Sequence, residues 1–138
     1  MQDCKPMSTP ITSNLKKLHE SASCSKIMDP TQYRQLIRSL MYLVHTRPNI
    51  CYTVSALSQL MSKPKHVHWI VVKHVLRYLR GTITYGLKYT SSSGVMLHGY
   101  DDSDWAGSTV ERKSTSGYCF SMGSIMISWS CRKHGSIT

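Results

Sequence analysis

Apolar side chains recur at helical spacing through the first half of the chain. Beyond a polar stretch at 1–28, they repeat every three or four positions over 33–44, 50–61 and 69–79. This spacing is typical of amphipathic helices that turn one face toward a common core. Because the connections between the three series are short, the pattern predicts a compact antiparallel bundle of three helices over 29–81.

Residues with strong positional preferences mark the ends of these helices. Asp29 is suited to cap the first helix, and Pro48 and Pro64 end the first and second helical regions. The third helix is predicted from about His66 to Arg80, with Gly81 as its C-cap. The apolar stripe expected to pack into the core from this helix is Trp69, Val72, Leu76 and Leu79.

The hydrophobic period changes after Gly81. The stretches "YGLKY" (85–89) and "VMLHGY" (95–100) flank turn-like residues and predict a β-hairpin. A second pair of strands is predicted from "GYCFSMG" (117–123) and "SIMISWS" (124–130). The chain is therefore predicted to be α+β. Its predicted parts are an extended or disordered lead-in (1–28), a helical part (29–81) and a β part (82–138).

The charge balance points to a polyanionic partner. The chain has 17 Lys and Arg residues against 7 Asp and Glu, a formal net charge of +10. On charge alone, nucleic acid is the first candidate partner and an anionic membrane surface the second, and we choose nucleic acid as the expected partner. Lys73, Arg77 and Arg80 would share one face of the third helix and are candidate phosphate contacts. The alternative is the solvated basic face of an ordinary amphipathic helix.

Targeting and redox features are consistent with a cytoplasmic or nuclear protein. No apolar run approaches the roughly 20 residues of a transmembrane helix, so no membrane partner is expected. The N-terminal residues lack the pattern of a secretory signal peptide. The 5 cysteines are scattered, contain no CxxC pair and are best explained as reduced thiols.

Six stretches of the chain form a characteristic succession. They are "DCKPMSTP" (3–10), "YRQLIRSLMYLVHTRPNICYTVSALSQLMSKP" (33–64), "HWIVVKHVLRYLRGTITYGLKY" (68–89), "LHGYDDSDWAG" (97–107), "RKSTSGYCF" (112–120) and "ISWSCRKH" (127–134). Together they resemble the copia-type retrotransposon Pol polyprotein. The matching segment runs from the end of the reverse transcriptase, through its thumb and connection, into the start of ribonuclease H.

The resemblance implies roles for residues in both parts of the chain. A reverse transcriptase thumb follows the backbone of a primer–template, so the partner implied is an RNA–DNA hybrid or another nucleic acid, bound without sequence preference. Its candidate contacts are Lys73, Arg77, Arg80, Arg112 and Lys113.

An acidic cluster carries the implied metal chemistry. The resemblance places the first catalytic carboxylate of ribonuclease H at Asp102, with Asp104 as a further candidate ligand for Mg²⁺. For Asp101 and Asp104, the alternative is that they solvate a turn.

Other parts of the ancestral active sites are missing from the sequence. The later carboxylates of ribonuclease H and the paired aspartates of the polymerase palm have no counterpart. We therefore expect an inactive, incomplete fragment in which Asp102 is vestigial and Mg²⁺ is an ancestral cofactor. An incomplete ribonuclease H-like sheet would leave apolar side chains and a strand edge exposed, which favours self-association. The side chains expected to be exposed are Trp105, Tyr118, Phe120, Ile127 and Trp129.

Three alternatives remain open. The string from Arg77 to Arg80 matches the RxLR sequence of secreted effectors, a reading that would require export. A ribonuclease H site could also become active if other chains supplied the missing carboxylates. His66, His68 and His74 could suggest zinc, but their spacing fits no standard site, and solvated histidines on a basic helix are the simpler interpretation.

Overall fold

The chain forms two compact units. A computed structural model describes residues 4–11, 29–90, 96–104 (backbone only at 103 and 104) and 114–133. The first unit, Met1–Tyr85, is helical in its described part and is called the helical unit. The second, Gly86–Thr138, contains a three-stranded sheet and is called the β unit. The α+β class predicted from the sequence is confirmed.

The helices lie where the hydrophobic spacing predicts them. Helix α1 is Pro30–Leu43, a 3₁₀ turn covers Pro48–Ile50, α2 is Cys51–Ser58 and α3 is His66–Gly81. Asp29 caps α1, since its carboxylate Oδ1 accepts a hydrogen bond of 2.9 Å from the Thr31 backbone N–H.

The core of the helical unit is built from one side of each helix. It is composed mainly of aliphatic side chains, with two tyrosines that also carry hydroxyl groups. Its buried members are Tyr33, Ile37, Leu40, Ile50, Val54, Leu57, Val71, Val72, Val75 and Tyr78.

The buried face of α3 differs from the predicted stripe. Trp69, Leu76 and Leu79 are only partly buried at the border of the core, whereas Val71 and Val75 lie inside it. Val72, which belongs to the predicted stripe, is also fully buried, so the buried face is shifted toward the smaller β-branched side chains of α3. The large side chains at helical spacing mark the border of the buried face rather than its centre.

His68 is buried, contrary to the expectation of a solvated histidine. Its side chain is 5 % exposed, and its Nδ1 accepts a hydrogen bond of 3.1 Å from the Lys65 backbone N–H. The ring therefore satisfies a donor at the start of α3, where four backbone N–H groups lack helical partners. The prediction was wrong because basic neighbours in the sequence do not reveal a capping contact.

Arg47 fixes the C-terminal end of α3. Its guanidinium donates hydrogen bonds of 3.0 Å to the Thr82 carbonyl and 3.1 Å to the Tyr85 carbonyl, and it also contacts the Thr82 hydroxyl. Carbonyls at the end of a helix lack helical donors and carry partial negative charge, so a cation is favourable there. The loop before α2 is thus tied to the far end of α3.

The β unit contains an antiparallel sheet in the order β1-β2-β3. Strand β1 is Leu97–Asp104, β2 is Thr115–Met122 and β3 is Ile125–Lys133. The predicted hairpin between the last two strands is confirmed. Its turn uses Gly123 at a φ of 62°, a conformation that glycine adopts without steric cost.

The first predicted hairpin is wrong. Residues 85–90 form no strand, and β1 pairs with β2, with Leu97 opposite Met122 and Asp102 opposite Gly117. The predicted turn falls largely on 91–95, outside the described residues. Pairing with β2 is a contact distant in sequence, which the local pattern around 85–100 cannot indicate.

Several apolar side chains of the sheet are exposed, as the sequence predicts. Tyr118, Phe120 and Ile127 are 40–45 % exposed, and Trp129 is partly buried. Trp105 lies outside the described residues. Self-association through this surface stays a prediction.

Within the described residues, no helix has the length and apolar character that crossing a bilayer requires.

A buried hydroxyl of α1 provides a first test of the helical core. The Tyr33 side chain is fully buried, and its hydroxyl donates a hydrogen bond of 3.0 Å to the Leu57 carbonyl. Burial raises the pKa of Tyr33, so the phenol stays protonated and keeps donating.

We expect Tyr33→Phe to lower the free energy of unfolding by about 1 kcal/mol at pH 7, the usual contribution of such a bond. Because the raised pKa favours the neutral phenol in the folded state, the unfolded state gains stability once its tyrosine ionises above about pH 10. The variant should therefore lose stability less steeply than the native chain above that pH. Urea unfolding at pH 7 and at a pH above about 10 measures the free energy of unfolding of both proteins. The control is Tyr42→Phe, which changes an exposed tyrosine. Equal effects of the two variants would contradict the role of Tyr33.

Candidate nucleic-acid interface

The predicted phosphate contacts lie together on α3. Lys73 and Arg80 are exposed, and Arg77 between them is partly buried. The Lys73 Nζ lies 6.0 Å from the centroid of the Trp69 ring, within the range of a cation–π contact. Because α3 is helical throughout His66–Gly81, the spacing of the three residues puts them along one edge of the helix.

An N-terminal segment covers part of this edge. We call residues 4–11 the strap; it has no regular secondary structure. The Arg77 Nε donates to the Lys5 carbonyl at 2.7 Å, and the Arg80 Nη1 donates to the Cys4 carbonyl at 2.6 Å. Both arginines thus hold the backbone of the strap.

Further contacts anchor the strap along α3. The His74 Nε2 lies 2.8 Å from the Thr9 carbonyl oxygen, and the side chains of Met7 and Ile11 pack against the border of the core. The Met7 backbone N–H donates a longer bond of 3.4 Å to the Arg77 carbonyl. The strap is therefore held by polar contacts at the helix edge and by apolar contacts beneath it.

Gly81 permits the close approach of the strap. A Cβ at this position would lie 2.9 Å from the Pro6 Cβ and 3.3 Å from the Met7 carbonyl oxygen, closer than carbon atoms normally pack. The sequence predicted Gly81 as a C-cap, whereas it is the last helical residue and Thr82 is the C-cap. The function of this glycine is to leave room for a neighbouring backbone.

The described helical unit is strongly cationic. Over 4–11 and 29–85 it has nine Lys and Arg residues and one carboxylate, Asp29, which caps α1. The acceptors for Arg77 and Arg80 on the strap are carbonyls, which carry no net charge. The two guanidinium charges therefore remain uncompensated by these bonds. The nine cations are Lys5, Arg34, Arg38, Arg47, Lys63, Lys65, Lys73, Arg77 and Arg80.

The acidic candidates lie on strand β1. Asp101 and Asp102 are exposed and face opposite sides of the sheet, since successive strand residues alternate. Asp104 is the last residue of β1, and its side chain lies outside the described part of the chain. Arg112 and Lys113 also lie outside it. In the part that the structure describes, no three His, Cys, Asp or Glu side chains come together to hold a metal ion.

Comparison with known proteins reveals close relatives. Over all 138 residues the chain is 41 % identical to an uncharacterized mitochondrial protein of Arabidopsis thaliana, of which it covers 56 %. It is 44 % identical over 134 residues to the retrovirus-related Pol polyprotein from transposon RE2 of Arabidopsis thaliana. This match includes 96 % of the chain and 9 % of the polyprotein. A secreted RxLR effector protein of Plasmopara viticola is 42 % identical over 111 residues, with 80 % of this chain and 78 % of the effector covered.

The chain belongs to the copia-type retrotransposon Pol family. It corresponds to one segment of the polyprotein, and it spans about half of the mitochondrial relative. No protein-family model matches the chain, and no solved structure matches it with significance.

The strap is the part of this Pol segment that sequence reasoning missed. Irregular segments have no periodic hydrophobic signal, and the bonds to Arg77 and Arg80 use backbone carbonyls that every residue possesses. One residue that bears on the strap was visible in the sequence, namely Gly81 at the end of α3, which leaves room for a neighbouring backbone. Its placement beside Pro6 could not be read without the fold.

Gly81→Ala tests the docking of the strap. Alanine normally stabilises a helix by about 1 kcal/mol relative to glycine, but here its methyl group would displace Pro6 and Met7. We expect faster hydrogen–deuterium exchange over 4–11 and no gain in melting temperature. Gly86→Ala is the matched control, because a Cβ there meets no atom within 4 Å. Unchanged exchange of the strap in Gly81→Ala would contradict its close packing on α3.

Proposed function

We propose that the helical unit of this Pol segment binds the phosphate backbone of nucleic acid without reading its sequence. The observation that carries the proposal is the ratio of nine cations to one carboxylate over the described residues 4–11 and 29–85. Cations that meet phosphates release condensed counterions, which gives affinity that depends steeply on salt. An RNA–DNA hybrid is the partner that the Pol family favours, and other nucleic acids share the same phosphate chemistry.

Lys73 is the strongest single candidate for a phosphate contact. It is exposed, and its ammonium lies 6.0 Å from the ring centroid of Trp69 one turn earlier in α3. A cation–π contact of the ammonium with the ring limits the conformational freedom of Lys73 before binding, while the residue stays exposed. Contacts of this kind position the nucleic acid and carry no information about its bases.

We propose that the β unit corresponds to the first strands of a ribonuclease H-like sheet, with Asp102 at the position of its first metal ligand. The antiparallel β1-β2-β3 order and the exposure of Asp102 on β1 support this assignment. Two-metal hydrolysis needs several carboxylates around a pair of ions. The described residues supply no such group, so we propose that Asp102 is vestigial in this chain and that activity would require carboxylates from another segment or chain.

The effector alternative has weaker support. The string Arg77-Tyr78-Leu79-Arg80 lies inside α3, where Tyr78 is 7 % exposed and both arginines donate to the strap. These contacts give the string a structural role in the helical unit. We propose a cytoplasmic or nuclear location for the segment; secretion would apply only if it acted as an effector.

Salt-dependent binding tests the proposed function. We expect the logarithm of the association constant for a labelled RNA–DNA hybrid to fall linearly with the logarithm of salt concentration between about 50 and 200 mM. Lys73→Gln should reduce that slope by about 1, because one phosphate contact is lost. Fluorescence anisotropy at several salt concentrations measures both quantities.

The matched control is Lys88→Gln, which removes an exposed cation of the β unit and the same net charge. We expect it to leave the slope nearly unchanged. Binding that is absent, or insensitive to salt, in the native chain would refute the proposal. Equal slopes for the two variants would show that Lys73 is not a contact.

Cleavage of the hybrid tests the proposed loss of catalysis. With Mg²⁺ or Mn²⁺ present, we expect no hydrolysis by the native chain or by Asp102→Asn, because too few carboxylates surround Asp102 to hold two ions. Gel analysis of a hybrid with labelled RNA gives the readout, and binding of the hybrid by both proteins is the control. Cleavage by the native chain that disappears in Asp102→Asn would mean that a complete site assembles.

A further inference from the structure

We propose that the strap is part of the nucleic-acid surface, that Lys5 contacts phosphate from it, and that Arg77 and Arg80 are positioning residues that hold the strap in place. This inference rests on the proposed binding of nucleic acid by the helical unit. It changes the roles that the sequence predicts for two of its three basic residues on α3.

The first argument is that each of the two arginines already uses one guanidinium nitrogen to hold the strap. Nε of Arg77 and Nη1 of Arg80 lie 2.7 and 2.6 Å from strap carbonyl oxygens, which are short distances for N–H···O bonds. A phosphate that used these same donors would have to displace Lys5 and Cys4. The arginines therefore act on the strap directly and on a ligand through it.

The second argument is that further contacts anchor the strap beyond its hydrogen bonds to Arg77 and Arg80. Met7 and Ile11 pack on the border of the core, and Pro6 lies where a side chain at Gly81 would be. Displacement would expose this apolar surface and break the contact between His74 and the Thr9 carbonyl. The strap is thus a built part of the helical unit rather than a removable cover.

The third argument concerns charge. A segment that blocks a phosphate-binding site by imitating phosphate would offer carboxylates. Residues 4–11 contain neither Asp nor Glu, and they include the cation Lys5. Lys5 is exposed, and its own carbonyl accepts the bond from Arg77. Docking of the strap therefore adds an accessible cation to the edge of α3 that carries Arg77 and Arg80. The surface thus gains the charge of Lys5.

A double-mutant cycle on Lys5 and Arg77 tests this inference. Lys5→Gln should reduce the salt slope of hybrid binding by about 1, the effect of one lost phosphate contact. Arg77→Lys keeps the charge but has no donor at the Nε position, so it should loosen the strap locally at Lys5 and reduce the slope by at most the same amount. Because both changes remove the same contact, the double variant should show no further reduction.

The controls separate positioning from stability and from net charge. Lys88→Gln removes one exposed cation elsewhere and should leave the slope nearly unchanged. Hydrogen–deuterium exchange over 4–11 should become faster in Arg77→Lys and stay unchanged in Lys5→Gln. A purely structural role for Arg77 would lower the melting temperature without altering the slope.

The results distinguish failure of this inference from failure of the proposed function. If the native chain shows no salt-dependent binding, the proposed function is wrong and the inference falls with it. If the native chain binds but Lys5→Gln matches Lys88→Gln, the function stands and the role of the strap is overturned. Tighter binding by Arg77→Lys would also overturn it, because the strap would then be blocking phosphate.

Discussion

The helical unit depends on the burial of one face of α3 in the common core. Val72 and Val75 are fully buried in the cluster that also includes side chains of α1 and α2, and this burial fixes how the helix is rotated about its axis. Rotation in turn decides which side chains remain at the outer edge, where Arg77 and Arg80 meet the strap. The end of α3 is set separately by Arg47, which binds the carbonyls of the following turn. The basic edge is therefore a consequence of core packing.

The same packing explains how a cationic surface can be stable with few carboxylates. Within the described helical unit, backbone carbonyls accept hydrogen bonds from the side chains of Arg34, Arg47, Arg77 and Arg80. A carbonyl satisfies a guanidinium N–H without cancelling its charge. The arginines thus stabilise connections between segments distant in sequence and still contribute to the positive potential that attracts a polyanion.

The sequence was sufficient for the helices but insufficient for the contacts that join segments. Hydrophobic spacing and the prolines located α1, α2 and α3, because both signals are local. The buried face of α3 was misjudged because Trp69 and Leu76 mark its border, whereas Val71 and Val75 lie inside it. Similarly, β1 pairs with β2 rather than with "YGLKY", and the strap docks on α3; both contacts join residues far apart in the chain. Asp102 was placed correctly on a strand. The other ligands of a metal ion could not be identified in the same way, because they would come from residues distant in the sequence.

The RxLR string illustrates why a short match needs its structural context. In a helix, residues three apart lie on the same side, so Arg77 and Arg80 both reach the strap. Tyr78 points into the core at 7 % exposure, and Leu79 packs at its border. The two arginines therefore bind the strap at the edge of the helix, and the two residues between them pack at its buried side. These contacts account for the string without any role in recognition. The same segment can therefore resemble both Pol polyproteins and a secreted effector without the string itself being a recognition signal in this chain.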